Sequence, residues 1–317
     1  MTDFYLNLIL MIVAISLLYL GADRLSSGIL SVAYKIGLKP FLLVFTVLSL
    51  GVGSPEISLN FLSTIKSNGN FTIAGIIGAN IINLTLILGI ASIIKPIRIN
   101  MSVIKTDALI LIFSTLLFIT LLLDGEISKV DAIILFFGFT IYIIVISKKA
   151  LQERVNDKSI SESIRLTKHN LWVDFLYISV AIILLIWSSL QLINQTSFLV
   201  EITGISRTLV TLTILAAISS LPELIFSIIA LRKNESDITM ATLISSSIFN
   251  ILFVTSIIAF VSPVTKGEIK FADMSILLLS AAIVFPISKI AYTIERKEGL
   301  ILLTVYFIYL YILIMRI

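Results

Sequence analysis

Long apolar stretches alternate with short polar ones along the chain. A helix needs about 20 consecutive apolar residues to cross the hydrocarbon core of a bilayer. Ten stretches have roughly this length, and they predict ten membrane-spanning helices. The predicted bounds are 4–21, 40–66, 70–94, 103–123, 128–147, 171–200, 206–231, 238–261, 271–293 and 298–316. The first span can continue past residue 21 as a longer, tilted helix.

Composition supports an all-α integral membrane protein. Of the 317 residues, 58% are hydrophobic and only 13% are charged, whereas soluble domains have about 25% charged residues. The net charge of +4 comes from lysines and arginines in loops and does not indicate a nucleic-acid partner. The chain has no cysteine, which excludes disulfides and thiolate metal sites. The start, "MTDFYLNLIL", lacks the features of a cleaved signal, and we expect it to be a retained first span.

One polar stretch, residues 148–170, divides the chain into two halves of five spans each, 1–147 and 171–317. It is too short to form a regulatory domain, and we interpret it as a linker with His169 at its surface. Most of the 23 lysines and arginines fall on the side of the membrane that holds this linker. The positive-inside rule therefore places the linker in the cytoplasm and both termini outside the cell membrane.

The two halves resemble each other at a shift of 167 positions. "SPEISLNFLSTIK" (54–66) then falls on "LPELIFSIIALRK" (221–233). The aligned pairs include Pro55 with Pro222, Glu56 with Glu223, Thr72 with Thr239 and Asn83 with Asn250. Five spans, an odd number, separate corresponding positions of the two copies. The second copy must therefore cross the membrane in the opposite orientation to the first. The pattern predicts two inverted-topology five-helix repeats, with a site near the midplane where they meet.

A Pro–Glu pair interrupts a span in each half. Proline has no N–H and displaces the carbonyl four residues earlier, so Pro55 and Pro222 leave backbone carbonyls without partners. Such carbonyls are costly in lipid unless something satisfies them. Glu56 and Glu223 follow the breaks directly, so carboxylate and carbonyl oxygens converge at one depth.

The next span of each half supplies a second wall of the predicted site. Small and polar residues recur there at every fourth position, on one helix face: Gly75, Ala79 and Asn83 in one half, Thr242, Ser246 and Asn250 in the other. We interpret Gly75 and Gly78 as packing positions. Carboxylates, amide carbonyls, hydroxyls and backbone carbonyls are ligands that suit calcium or sodium.

No lysine or arginine of the sequence lies near the centre of these spans, so a structural ion pair does not explain the two glutamates. Two unpaired carboxylates at that depth must either hold protons or bind a mobile cation. With one histidine and no cysteine, the sequence does not favour zinc chemistry.

The motifs "GVGSPE" with "GANIIN", and "ISSLPE" with "SSSIFN", resemble those of the sodium/calcium exchangers of the cation/calcium exchanger superfamily. The separation from motif glutamate to motif asparagine is 27 in both halves. The resemblance covers the whole chain and indicates a prokaryotic type without a large regulatory loop.

The resemblance implies that Glu56 and Glu223 share the calcium ion. It assigns further calcium contacts to the backbone carbonyls of Val52 and Ser219, and it places Asn83 and Asn250 in the lining of the central site. For sodium, it implies hydroxyl ligands, and the second half has them at Ser219, Ser220 and Ser246. The first half has Val52, Gly53 and Ala79 at the matching positions, so one sodium site is intact and its mirror is degraded. The first and sixth spans would move across the other eight.

These observations predict a secondary antiporter, not an enzyme, that exchanges calcium for sodium by alternating access at a midplane site of two glutamates. It would need a lipid bilayer and the two ions, but no cofactor and no obligate protein partner. A proton/calcium exchanger remains open, because the first half lacks hydroxyls and carboxylates can carry protons. A cation channel is the alternative from another class, although an inverted repeat argues against it.

Overall fold

The computed structural model describes residues 2–35, 53–67, 71–98, 106–152, 170–232, 236–289 and 292–316. Within these ranges the chain is mostly helical, and seven helical segments are long and apolar enough to cross a membrane, one of which, Arg207–Arg232, is interrupted at Ser220. The predicted multi-pass helical membrane class is therefore confirmed. Val52 and most of the linker, including His169, lie outside the described residues.

Eleven helices account for most of the described chain. Three of them, α3, α7 and α9, contain a π-helical turn. They are α1 (Thr2–Lys35), α2 (Ser54–Ser67), α3 (Thr72–Ile94, with the π turn Ile82–Ile87), α4 (Ala108–Leu121), α5 (Lys129–Gln152), α6 (Leu171–Thr203), α7 (Arg207–Val210, the π turn Thr211–Leu215 and Ala216–Ser219), α8 (Leu221–Arg232), α9 (Ser236–Phe249, the π turn Asn250–Val254 and Thr255–Val261), α10 (Phe271–Lys289) and α11 (Arg296–Ile314).

Several predicted bounds change in the structure. The first span is indeed longer, since α1 has 34 residues. The predicted span 206–231 is one apolar segment, Arg207–Arg232, and its α-helix stops at Ser219 and resumes at Leu221, next to the predicted interruption at Pro222. Of the predicted span 103–123, residues 103–105 lie outside the described residues, and α4 covers 14 of the others before a turn and a short strand follow.

Two short antiparallel sheets join the halves of the chain. Strand β1 (Ile97–Arg98) pairs with β4 (Thr293–Ile294), and β2 (Glu126–Ile127) pairs with β3 (Val264–Thr265). A shift of 167 converts β1 into β3 and β2 into β4, so that it maps one sheet onto the other with the same register. When the residue numbers are shifted by 167, the bounds of the first five helices nearly match those of the second five. The matched pairs are α1 with α6, α2 with α8, α3 with α9, α4 with α10 and α5 with α11.

Side-chain hydrogen bonds repeat at the same shift. The Thr72 hydroxyl donates to the backbone oxygen of Asn60, and the Thr239 hydroxyl donates to that of Ser227, each at 3.3 Å. Thr72 and Thr239 are 167 positions apart, and so are Asn60 and Ser227. The two halves therefore share local contacts as well as helix bounds.

The buried apolar residues form two separate clusters. The larger one takes side chains from α3 to α5 and from α7 to α11. The smaller one is centred on α1 and α6, which pack along each other, and it includes Ala14, Leu18 and Leu185. Leu59 of α2 and Ile218 of α7 connect this pair of helices to the rest of the bundle.

Gly78 marks the closest approach between α3 and α7. A Cβ atom added there would lie 2.6 Å from the Leu212 backbone oxygen and 2.8 Å from the Ala216 Cβ atom. Both neighbours are backbone or short side-chain atoms, which cannot rotate away. The interpretation of Gly78 as a packing residue agrees with this geometry.

We expect Gly78→Ala to destabilise the protein by about 1–3 kcal/mol, the usual cost of overpacking a rigid contact. The measurement is the thermal midpoint of the purified protein in detergent, followed by size-exclusion chromatography. Gly138→Ala is the matched control, because its added Cβ would lie 3.5 Å from Leu252 Cδ2, an ordinary contact. Equal midpoints for the two variants would contradict the prediction.

Candidate functional site

The first candidate residue, Glu56, lies in the first turn of α2. The helix starts at Ser54, and Pro55 occupies an early position where its missing N–H costs nothing. Glu56 is wholly buried. The Asn250 amide donates to its Oε2 atom, and the Ser220 hydroxyl donates to Oε1 at 3.1 Å. Both donors come from the second half of the chain, so this carboxylate lies at the contact between the halves.

Glu223 occupies the corresponding place in α8, directly after the break at Ser220. It is also wholly buried. The Ser246 hydroxyl donates to Oε1 at 3.3 Å, while Oε2 has no hydrogen-bond partner among the described residues. Ser246 and Asn250 are four positions apart on α9, so the two carboxylates accept hydrogen bonds from the same face of that helix.

The two asparagines lie in the π turns of α3 and α9. Asn83 is the second residue of the π turn Ile82–Ile87, and Asn250 is the first residue of Asn250–Val254. Such turns are common at functional sites, because the extra residue changes the direction of side chains and carbonyls. Asn83 lies beside the Glu56 carboxylate. The structure thus brings both asparagines to Glu56.

Three oxygen atoms of the site have no hydrogen-bond partner within the described part of the chain. They are Glu223 Oε2, Asn83 Oδ1 and Asn250 Oδ1. An unsatisfied buried acceptor costs roughly 1–3 kcal/mol, so a cluster of them needs a compensating ligand. All three are hard oxygen donors, which suit calcium or sodium. The residues present therefore fit a bound cation.

No fixed positive charge neutralises the two acids in the ranges that the structure covers. Their recorded partners there are serines and an asparagine, with no lysine or arginine. Nor do three or more acidic or histidine side chains gather anywhere in those ranges. Any cation bound between the glutamates would thus meet two formal negative charges and otherwise neutral oxygens.

The other predicted site residues form hydrogen bonds with different partners. The Ser219 hydroxyl donates to the Ala216 backbone oxygen at 3.0 Å, so it is engaged within its own helix. Ser220 contacts Glu56 across the halves, whereas Ser246 contacts Glu223 of its own half. Val52 lies outside the described residues. Sequence reasoning missed both the π turns and the cross-half contact of Ser220, and the residue types carry no signal for either.

A polar stripe leads from Glu56 along α2. Asn60 and Ser63 follow at four and seven positions, on the same helix face, and both are buried. Ser63 lines a cavity of about 170 Å³ that also meets Thr196, Arg207 and Thr211. In α8 the counterparts of Asn60 and Ser63 are Ser227, which is also polar, and Ala230, which is apolar, and both are buried. The polar stripe of α2 therefore continues to Ser63, whereas the stripe in α8 ends at Ser227.

Comparison with known proteins gives a family and several relatives. A family model described as "Sodium/calcium exchanger protein" matches residues 6–148 and 173–315. The inner membrane protein YrbG of Escherichia coli (strain K12) is 29% identical over 279 residues, which cover 86% of this chain and 86% of that protein. The putative antiporter CaxA of Alkalimonas amylolytica is 27% identical over 312 residues, 96% of this chain and 98% of that protein.

Solved structures of the sodium-calcium exchanger NCX_Mj are similar over nearly the whole length. The form soaked with 2.5 mM Na+ and 10 mM Sr2+ has a TM-score of 0.69 at 21% identity, and covers 96% of this chain and 98% of that chain. At this identity the likeness shows the fold alone.

Proposed function

The chain belongs to the sodium/calcium exchanger family, and we propose that it exchanges calcium for sodium at a site shared by Glu56 and Glu223. The exchange would be secondary antiport by alternating access, with no covalent chemistry and no resident cofactor. The coarser function, cation/calcium antiport across a membrane, follows from the family.

One observation carries the proposal: two buried carboxylates accept hydrogen bonds from the same helix, α9, and neither has a lysine or arginine partner among the described residues. Such a site is unfavourable when it is empty, because like charges repel and desolvation penalises both. A divalent ion or a set of monovalent ions would neutralise it. The unpartnered oxygens of Glu223, Asn83 and Asn250 would complete the coordination.

The proposed architecture has two inverted repeats, 1–147 and 171–317, joined by the cytoplasmic linker 148–170. The mapping of one short sheet onto the other at a shift of 167 supports this arrangement. So does the gap between the two segments that match the family model. With an odd number of spans in each repeat, Glu56 and Glu223 would approach the membrane midplane from opposite sides.

We assign the moving part of the transporter to α1 and α6. Their separate apolar cluster supports this assignment, because few buried side chains connect them to the remaining helices. Movement of this pair would expose the site to one side of the membrane at a time. The polar stripe along α2 and the apolar end of α8 support access from one side in this conformation.

The orientation is also a proposal, and it rests on the distribution of basic residues. Both termini would lie outside the cell membrane. The cavity near Ser63 and Arg207 would then open on the outer side, because α2 runs outward from Glu56. This places the proposed access route on the extracellular face.

The test is transport by the purified protein in liposomes. Calcium-45 uptake is measured with sodium inside the vesicles and then, separately, with an acidic interior. We expect an outward sodium gradient to drive accumulation of calcium above its outside concentration, whereas equal sodium on both sides should abolish this accumulation. Uptake that follows only the pH gradient would show that the counter-ion is the proton and not sodium. Uptake that follows neither gradient would indicate a channel and contradict the proposal.

A proton/calcium exchanger is the second candidate, and one observation favours it. The hydroxyl-bearing residues Ser220 and Ser246 have Gly53 and Ala79 as their counterparts in the first half. A carboxylate needs no additional ligands to carry a proton, but sodium does. The pH-gradient arm of the same experiment decides between the two counter-ions.

A further inference from the structure

We propose that Arg207 is an electrostatic barrier at the outer entrance of the transport pathway, and that it disfavours divalent cations more strongly than monovalent ones. The outer entrance is the cavity that Ser63 and Arg207 line. Arg207 would set part of the ion selectivity on that side without binding the transported ion. The inference rests on the proposed function and orientation, because it assigns this cavity to the same site.

The Arg207 guanidinium is held in place by neutral partners. It donates a hydrogen bond to the Ser197 hydroxyl at 2.8 Å. Its central carbon also lies 5.1 Å from the centre of the Phe71 ring, within the range of a cation–π contact. Arginine stays protonated at every physiological pH, and neither a hydroxyl nor an aromatic ring cancels its charge. The side chain therefore fixes a positive charge between α6, α7 and the start of α3.

This charge borders a cavity of about 170 Å³. Hydroxyl, amide and apolar side chains make up the rest of the described lining, which contains no acidic residue. A cation in the cavity would thus meet one formal charge of its own sign and none of the opposite sign among those residues. Clefts with low-dielectric walls focus the field of such a charge, so it acts more strongly there than on an open surface.

Two helices lead from this cavity to Glu56. On α2, Ser63 lies seven positions after Glu56 on the same helix face, about 10 Å along the helix axis. On α7, Leu215 lines the cavity, and Ser220 follows five positions later and donates to the Glu56 carboxylate at 3.1 Å. A cation that reaches Glu56 between these helices would therefore pass Arg207.

The repulsion depends on the charge of the ion that passes. Coulomb energy is proportional to the product of the two charges, so a divalent cation is repelled twice as strongly as a monovalent one at the same position. Because free energies enter equilibrium constants exponentially, the factor for a monovalent ion becomes its square for a divalent ion. An arginine that lines a pore can exclude cations by the same effect. Arg207 would thus favour sodium over calcium at the outer entrance.

The internal repeat does not reproduce this barrier. At a shift of 167, Arg207 corresponds to Pro40, and its hydrogen-bond acceptor Ser197 corresponds to Leu30. Neither counterpart has a charged or hydrogen-bonding side chain. We therefore expect Arg207 to act on the outer side of the membrane and not on the inner side.

The experiment compares the two sides of the membrane in oriented vesicles. Right-side-out and everted membrane vesicles are prepared from a bacterial host that expresses the wild-type chain or a variant, and vesicles without the chain give the background. Calcium-45 uptake into sodium-loaded vesicles yields the half-saturating calcium concentration, and inhibition by added sodium yields that of sodium. Choline chloride keeps the ionic strength low and constant, because salt screens the charge.

Arg207→Gln should lower the half-saturating concentration on the outer side by about tenfold for calcium and by about threefold for sodium, as expected for a unit charge about 10 Å away in a partly solvated cavity. Asn194→Asp adds a carboxylate to the same cavity without altering Arg207, and it should shift both values in the same direction. Arg207→Lys keeps the charge and should stay within about twofold of the wild type.

Lys129→Gln is the matched control. Lys129 is exposed at the start of α5 and is not one of the residues that line this cavity. Its removal takes away one positive charge on the outer side of the proposed orientation, and both values should stay unchanged. Size-exclusion chromatography of each purified variant checks that it folds.

Several results would overturn the barrier and leave the proposed exchange intact. Equal shifts for calcium and sodium would contradict an effect of charge. So would an Arg207→Lys variant that behaves like Arg207→Gln, because the hydrogen bond or the packing of the guanidinium would then be responsible. Shifts confined to everted vesicles would place Arg207 at the inner entrance. Unchanged outer values in both Arg207→Gln and Asn194→Asp would show that charge in this cavity has no effect.

Failure of the proposed function would look different. Wild-type vesicles would then show no accumulation of calcium driven by a sodium or pH gradient, whatever the residue at position 207. If the counter-ion is the proton, the calcium values of the four variants test the barrier by themselves, with the same expected shifts.

Discussion

Glu56→Gln and Glu223→Gln are each expected to lower calcium/sodium exchange by roughly 100-fold or more, equivalent to a loss of about 2.7 kcal/mol. Each substitution removes half of the negative charge that would hold a divalent ion. In a buried site no solvent compensates for this loss, so an ionised ligand matters far more there than at a surface. The measurement is the initial rate of sodium-driven calcium-45 uptake in liposomes.

The two substitutions should leave the fold intact. Glutamine keeps the size of glutamate and one oxygen, which can still accept the hydrogen bond from Asn250 or Ser246. Elution of both variants as single peaks in size-exclusion chromatography would check this. Glu126→Gln is the matched control, because Glu126 is exposed in β2 and should transport like the wild type. Rapid calcium exchange in either site variant would contradict the shared site.

Some features of the site could be predicted from the sequence because they depend on residue types. Pro55 and Pro222 each fall in the first turn of a helix, and the α-helix before Pro222 is interrupted at Ser220. Proline lacks an N–H and tolerates only that part of a helix, whatever surrounds it. The shift of 167 also brings the corresponding glutamates and helix bounds into register.

Other features depend on contacts between distant parts of the chain, and hydropathy does not report them. The π turns at Asn83 and Asn250 insert one residue into an otherwise regular helix without a change of residue type. The short strands form only because each finds a partner in the other half. The donation from Ser220 to Glu56 likewise joins residues 164 positions apart.

The interpretation of the serines shows the same limit. From their positions, Ser219, Ser220 and Ser246 were equivalent candidates for sodium ligands. The structure distinguishes them, because Ser219 bonds to its own helix, Ser220 to Glu56 and Ser246 to Glu223. A serine in a helix can rotate its hydroxyl toward its own backbone or toward a neighbour, and only packing decides between them.

Arg316→Gln is expected to destabilise the protein by about 3 kcal/mol, because it leaves a buried carboxylate without its ion-pair partner. The Arg316 guanidinium lies 2.8 Å from Asp273 Oδ1 and 2.9 Å from Oδ2, and Asp273 is wholly buried. The pair connects the end of α11 to the start of α10. The Tyr309 hydroxyl and the Lys270 backbone N–H also donate to this carboxylate, at 3.3 Å and 2.8 Å. These two neutral donors would remain in the variant, but they do not replace the charge.

Thermal unfolding in detergent measures the effect, and we expect the midpoint to fall by about 5–10 °C. Arg296→Gln is the control at the other end of α11, where the side chain is exposed and the change should be small. Combining Arg316→Gln with Asp273→Asn removes the orphaned charge as well, so the double variant should be more stable than Arg316→Gln alone. If the double variant were the less stable of the two, the cost would lie in lost packing at this end of the bundle, and the ion-pair explanation would be wrong.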